Sequence, residues 1–297
     1  MNAKTLSHHS QYPYSIGVLA LVASMISLCV GTSFAKSLFT ELGAQGTTSY
    51  RLLFSAILLW IIWRPWRFGF NPRYIPQLLY YGISLGLINF LFYMSIRHIP
   101  LGLAIAIEFL GPLGLALISS RQRSDFVWIG LVLVGMYLLL GIDDGVENLD
   151  PVGVLYAAGA AIFWALYIVA GQGVRHIHPG QATTYGITIA ALMTLPFSIA
   201  HIGLDGLWRP DLFLFGLTVG VLSSALPYSL EMISLRTLHR KTFGVLLSLE
   251  PAFGAIAGAI ILHEMLSLKQ VLAIICIVIA SMGCTLTAKK KLIDKDS

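Results

Sequence analysis

The chain has 297 residues, 57% of them hydrophobic and only 11% charged, with a formal net charge of +5. A soluble domain carries about 25% charged residues, so the composition excludes an ordinary water-soluble fold. The positive excess does not signal nucleic acid either, because Lys289, Lys290, Lys291 and Lys295 form a short juxtamembrane tail suited to topology and anionic headgroups. Apolar blocks of about 17 to 22 residues alternate with short polar joints, the length an α-helix needs to cross roughly 30 Å of hydrocarbon. Backbone amides in lipid must be bonded internally, so the blocks are helices. The chain reads as an all-α polytopic membrane protein.

The pattern predicts ten helices, at about 15–36, 47–63, 76–96, 101–119, 126–141, 152–172, 181–201, 211–233, 242–262 and 268–288. The first block, about Ile16 to Phe34, is too long for a signal-peptide core and is not followed by a convincing small-residue cleavage site, so it is expected to remain as the first span. Turn chemistry marks the joints: Leu-Gly-Ala-Gln-Gly at 42–46, Arg-Pro-Trp-Arg with Asn-Pro at 64–72, an acidic loop at 141–151 and His-Pro-Gly at 178–180. Cys29, Cys276 and Cys284 all lie in apolar blocks without metal-ligand spacing and read as packing residues.

Orientation follows from lysine and arginine. With the N-terminus in the cytoplasm, 14 of these residues fall inside and only Arg97, Arg209 and Lys269 outside, while Lys36 and Arg51 lie within helices. The positive-inside rule therefore puts both termini in the cytoplasm.

The sequence also repeats. A shift of 136 residues lays Gly17-Val18-Leu19 on Gly153-Val154-Leu155 and Thr47-Thr48 on Thr183-Thr184. Further on, Gly82-x3-Gly86 matches Gly216-x3-Gly220, Ser95 matches Ser229, and Pro112 followed by Asp125 matches Pro251 followed by Glu264. Each half then holds five helices, 15–141 and 152–288, before the basic tail 289–297. An odd number inverts the second half relative to the first, the architecture by which a carrier opens one central site to each side in turn. That symmetry is not required of a channel or receptor, though it excludes neither.

The strings FAKSLF, IEFLGPLGLALISSR, FVWIGLVLVG, LPYSLEMISL, LSLEPA and ASMGCTLT, within about Val22 to Thr287, resemble the RhtA-type threonine/homoserine exporters. These are members of the EamA family of the drug/metabolite transporter superfamily. The resemblance implies a ten-helix carrier of the bacterial inner membrane that exports threonine, homoserine and related small metabolites, driven by proton exchange. It implies no cofactor and no enzymatic activity. One departure is Asp125, where the repeat usually has a glutamate like Glu264. Because the superfamily carries very different solutes, fold analogy leaves another load, such as an aromatic amino acid, a nucleobase or a drug, as the alternative. A membrane enzyme or scaffold is a more distant one.

Two acids sit deep in apolar helices, Glu108 and Glu250. Each is roughly 10–14 Å from a helix end, where a carboxylate must be paired, hydrated or protonated. Either they contact substrate or carry the coupling proton, with Glu250 favoured as proton carrier, or they are structural hydrogen-bonding acids. An amino acid presents an ammonium, a natural partner for a buried glutamate, and desolvation favours the protonated form of an acid. One group could thus exchange solute for proton. For Lys36 and Arg51, near the outer ends of the first two helices, snorkelling toward the headgroups is the simpler reading. The alternative is that one of them attracts the substrate carboxylate, with Lys36 the better candidate because Glu108 lies in the same membrane half. Glu231, near the cytoplasmic interface, reads as a snorkelling side chain. Asn89, Tyr93, Tyr167, Ser223, Ser224 and Tyr228 are mid-helix polar groups that either bridge helices or line a cavity. Trp164 reads as an ordinary packing aromatic. Pro112, Pro227 and Pro251 each free a carbonyl one turn back, as a hinge, a ligand or a static kink. No P-loop, Gly-x-Ser-x-Gly or complete zincin motif occurs. The expected partners are an amino acid, protons and membrane lipids. A monomer suffices for the mechanism, and the nearly wholly apolar helices 5 and 10 leave room for a weak homodimer.

Overall fold

The computed structural model describes residues 13–69, 71–99, 101–119, 123–140, 150–238, 240–247 and 249–261, together with 268–269, 271–273, 275–276 and 278–280. The basic tail, Cys284, Glu264 and most of the acidic loop lie outside these residues, as does the Asp125 side chain. The described residues are helical and contain no strand. They form α1 (Tyr14–Ala35), α2 (Phe39–Trp63), α3 (Ile75–His98), α4 (Leu101–Ser119), α5 (Arg123–Leu140), α6 (Pro151–Gly173) and α7 (Pro179–Leu207). These are followed by α8 (Phe213–Gly220), a π turn (Val221–Ala225), α9 (Leu226–Thr237), α10 (Arg240–Leu247) and α11 (Leu249–Ile261). Among the described residues, five stretches are long and apolar enough to cross a membrane: 14–67, 72–98, 151–173, 179–207 and 210–237. The first of them holds both α1 and α2.

The expected break before the second helix falls at Gly43, whose φ of 64° and ψ of 177° interrupt α2. Gly203 interrupts α7 with φ 70° and ψ 175°. Both backbones are in a region that only glycine enters without steric cost. The two turns lie at one end of the bundle, where a side chain added at Gly43 would meet His201.

Helix directions alternate. Gly17 near the start of α1 meets Thr237 at the end of α9, and Gly180 at the start of α7 meets Trp63 at the end of α2. At the other end, His98 of α3 reaches Asp150 before α6, and Arg209 before α8 reaches Glu41. The main packing pairs are α3 with α6, α2 with α7, α4 with α6, α3 with α7 and α1 with α9. Two of the Gly-x3-Gly pairs are close-contact sites: Gly82 and Gly86 of α3 lie against α7, and Gly216 and Gly220 of α8 lie against α2.

The polarity is inside out. Leu19, Leu155, Leu192 and Leu214 are exposed on the periphery, where lipid makes an apolar surface costless. Arg51, Glu108, Glu231 and Glu250 are buried. Hydroxyls within the helices return to their own backbone, as when Thr48 donates to the Ala44 carbonyl and Thr184 to the Gly180 carbonyl.

Candidate functional site

Pro227 has no N–H to offer the carbonyl four residues earlier, that of Ser223. The chain widens here into the π turn Val221–Ala225, a distortion common at functional sites. The carbonyls of this turn and of Gly220 just before it are claimed by other helices. Ser27 of α1 donates to Leu222 O at 2.7 Å, Ser55 of α2 to Gly220 O at 2.7 Å, and Arg51 Nη1 to Ser223 O at 2.7 Å. Gly31 of α1 makes this approach possible, since a Cβ there would stand 2.5 Å from the Ser223 nitrogen.

Arg51 is only 1% exposed. Nη1 also donates to Ser224 Oγ at 2.9 Å and Ser223 Oγ at 3.2 Å, and Nη2 donates to Asn89 Oδ1. The guanidinium carbon lies 4.4 Å from the Tyr93 ring centroid, a cation–π contact. Asn89 is itself fixed from two sides, because its Nδ2 donates to Leu85 O at 2.7 Å and Tyr228 OH donates to its Oδ1 at 3.0 Å. Neutral oxygens and a π face thus surround the cation. No carboxylate of the described residues lies within ion-pairing distance of it.

The three buried acids differ in their surroundings. Glu231 accepts from Tyr167 OH at 2.9 Å and from Ser24 Oγ at 3.4 Å, and Tyr167 OH in turn accepts from Tyr81 OH at 3.4 Å. Ser24 is ten residues into the 22-residue α1, so Glu231 lies at mid-depth and does not snorkel to an interface. Glu250 Oε2 has no hydrogen-bond partner among the described residues. Its main-chain carbonyl faces Cys29 Sγ at 3.7 Å. Glu108 forms no side-chain hydrogen bond among the described residues.

These groups surround one cavity. Arg51, Asn89, Glu108, Glu231 and Glu250 supply its polar walls. Tyr93, Trp164, Tyr167 and Tyr228 supply aromatic ones. The free volume is about 50 Å³, room for a few waters and far short of the roughly 300–1,000 Å³ of a drug-sized site.

Of the residues singled out from sequence, Glu108, Glu250, Asn89, Tyr93, Tyr167 and Tyr228 come together on this wall. Ser223 lies behind it, as an acceptor for Arg51. Pro112, Pro227 and Pro251 are buried outside the lining. Lys36 is a correction: it begins the 3-10 turn Lys36–Leu38 after α1, is half-exposed and does not line the cavity, where the cation is Arg51. Trp164 lines the cavity as well as packing on Phe109. The signal for Arg51 was the kink at Gly43. Counted from there, Arg51 is eight residues into the helix, roughly 12 Å deep, level with the depths expected for the acids.

A bundle of alternating apolar helices around a small, charged cavity is the build of a polytopic membrane carrier. Residues 151–286 match the model of the EamA-like transporter family. The threonine/homoserine exporter RhtA of Escherichia coli (strain K12) is 44% identical over 279 residues, covering 94% of each chain. The protein of the same name from Salmonella typhimurium (strain SL1344) is 43% identical over the same length and coverage. A solved crystal structure only 18% identical shares the fold at a TM-score of 0.72, covering 93% of this chain and 97% of that one. The chain belongs to the EamA-like transporters, among the RhtA-type threonine/homoserine exporters. Its relatives are transporters and not enzymes.

Proposed function

We propose that this protein exports threonine, homoserine and related small amino acids from the bacterial cytoplasm across the inner membrane. The observation that carries the reading is the 44% identity to a threonine/homoserine exporter over 94% of both chains. The cavity agrees with it, being small and holding Glu108 and Glu250, the latter without a hydrogen-bond partner at Oε2 among the described residues. Such groups suit a small ammonium-bearing solute.

The mechanism proposed is alternating access by ten helices in two inverted halves. Packing supports it. Exchanging the halves turns the α1–α9 pair into α6–α3 and leaves α2–α7 unchanged, and all three pairs are present. The glycine pairs obey the same exchange, α3 on α7 and α8 on α2. Both termini are cytoplasmic in this reading, and the end bearing Arg209 and Asp150 faces outward. Pro112, Pro227 and Pro251 act as hinges, and export is coupled to proton entry through Glu250 or Glu108. A single chain suffices, with surrounding lipid as its only necessary partner.

The test is counterflow of labelled threonine and homoserine in proteoliposomes, with and without an imposed pH gradient, for wild type, Glu108→Gln and Glu250→Gln. Saturable flux that follows the gradient and is lost in either variant is the expected result. Flux indifferent to the gradient removes the proton coupling. Absence of flux and of binding in folded protein removes the carrier reading.

A further inference from the structure

Buried polar atoms without partners are rare enough in proteins that each needs an explanation, and this cavity wall holds a complementary pair. Of the five N–H donors on a guanidinium, the Nη1 pair of Arg51 is committed to Ser223 and Ser224, and Nη2 is committed to Asn89. Nε has no partner among the described residues. The acceptor Glu250 Oε2 is equally unmatched there, and Glu108 stands on the same wall. All three residues line the same space, yet Arg51 pairs with neither acid.

Two features make the arrangement more than a failed salt bridge. The cation is held in place by its far side, through the Ser223 carbonyl freed by Pro227, the serine hydroxyls and the Tyr93 ring, so its position does not depend on an anion. The acids stand on other elements, α4 and α11. A fixed positive point and two acids lining one cavity without an ion pair between them match a ligand that carries both charges a few bonds apart.

We propose that Arg51 receives the α-carboxylate of the transported solute while Glu108 and Glu250 face its α-ammonium, so that the site selects zwitterionic amino acids. The inference rests on the exporter reading and adds to it the group that reads the carboxylate. Arg51 is a specificity residue here, and the wall behind it, Asn89 and Ser223, positions it.

The experiment is competition against labelled threonine counterflow by unlabelled threonine, threonine amide and N-acetylthreonine, in wild type, Arg51→Gln and Arg51→Lys. In wild type, removal of either charge is expected to weaken competition by at least roughly tenfold, the worth of one charge-assisted hydrogen bond. In Arg51→Gln the advantage of threonine over its amide is expected to shrink to about twofold or less, while discrimination against the N-acetyl compound persists. Where Arg51→Gln does not fold, Arg51→Lys decides. It keeps the charge without the planar fork, and the half-saturation concentration for threonine is expected to rise about tenfold with that for the amide unchanged. Equal competition by threonine and its amide in wild type overturns the assignment and leaves the exporter reading intact, as does an undiminished preference in a folded Arg51 variant. No threonine flux in wild type removes the exporter reading, and with it this inference.

Discussion

Two arginines of this chain solve the same problem in opposite ways. Arg209, at the end of the bundle, makes a two-pronged ion pair with Asp211, from Nε at 3.0 Å and Nη2 at 2.7 Å, and reaches Glu41 at 3.3 Å. Those carboxylates hold the guanidinium further above its already high pKa, Asp211 contributing most. Arg51, at mid-depth, has no carboxylate partner among the described residues and is bound by a carbonyl, two hydroxyls, an amide and an aromatic face. Near water an ion pair is screened and each charge is also hydrated, so pairing costs and contributes little. In the interior, two paired charges would neutralise each other. A cation held by neutral dipoles keeps its charge available to a ligand, at the cost of requiring every dipole to be in place.

The sharpest way to break the comparison is to delete both guanidiniums in turn. Arg51→Ala removes the donor from the Ser223 carbonyl and from Asn89 at once. Each buried acceptor left unmatched costs about 1–3 kcal/mol, so thermal unfolding in detergent is expected to show a large loss of stability and flux to vanish. Arg209→Gln is expected to leave both near wild type at physiological salt, with a visible difference only at about 10 mM salt, where screening is weak. Equal damage from the two substitutions contradicts the contrast.

An intermediate effect is expected at the contact of α4 with α6. Gly111 of α4 packs so closely on the Ala161 carbonyl of α6 that a Cβ there collides with it. Gly111→Ala therefore forces α4 outward, at about 1–3 kcal/mol of overpacking, and lowers flux. Gly114, three residues on, has nothing within 4 Å of an added Cβ, and Gly114→Ala is the matched control expected to melt no lower than wild type. Identical behaviour of the two variants removes the packing argument. Tyr167→Phe takes from Glu231 its 2.9 Å donor and leaves only Ser24 at 3.4 Å. A smaller stability loss is expected than for Arg51→Ala, since one hydrogen bond is lost instead of several; a loss as large would mean that Tyr167 holds more than Glu231.

The smallest effect belongs to the exposed pair His98–Asp150, 2.6 Å apart. The carboxyl of Asp150 is held below its usual pKa, first by the backbone N–H of Val152 that it caps and then by His98. A depressed acid stabilises the fold above its unfolded pKa of about 3.9 and loses that contribution as pH falls through the folded value. Wild type should lose stability slightly below about pH 4, and Asp150→Asn, which keeps the cap oxygen, should lose this part of the dependence. Melting curves between pH 3 and 6 for the two proteins decide it; parallel curves refute the assignment.

Sequence alone was most informative where lipid removes choices. A run of apolar residues has to be a helix when water is absent, so the positions of the described helices followed from length and hydropathy. Glu108 and Glu250 stood out because a charge inside an apolar run has no local explanation. The same logic failed for Arg51 and Glu231. Both lie close enough to a helix end in sequence for snorkelling, and only the kink at Gly43 and the pairing of α9 with α1 place them at mid-depth. Lys36, expected at the outer end of the first helix, lies directly after α1, away from the cavity.

The residue types thus determined that this chain spans a membrane and keeps acids where acids are costly. Which cation meets them was decided in three dimensions. The choice depends on where one glycine breaks a helix and which carbonyl one proline frees, and on which neighbouring helix supplies the donor. Hydropathy is summed along a single segment, whereas burial of a charge is set by the partners that distant segments bring to it.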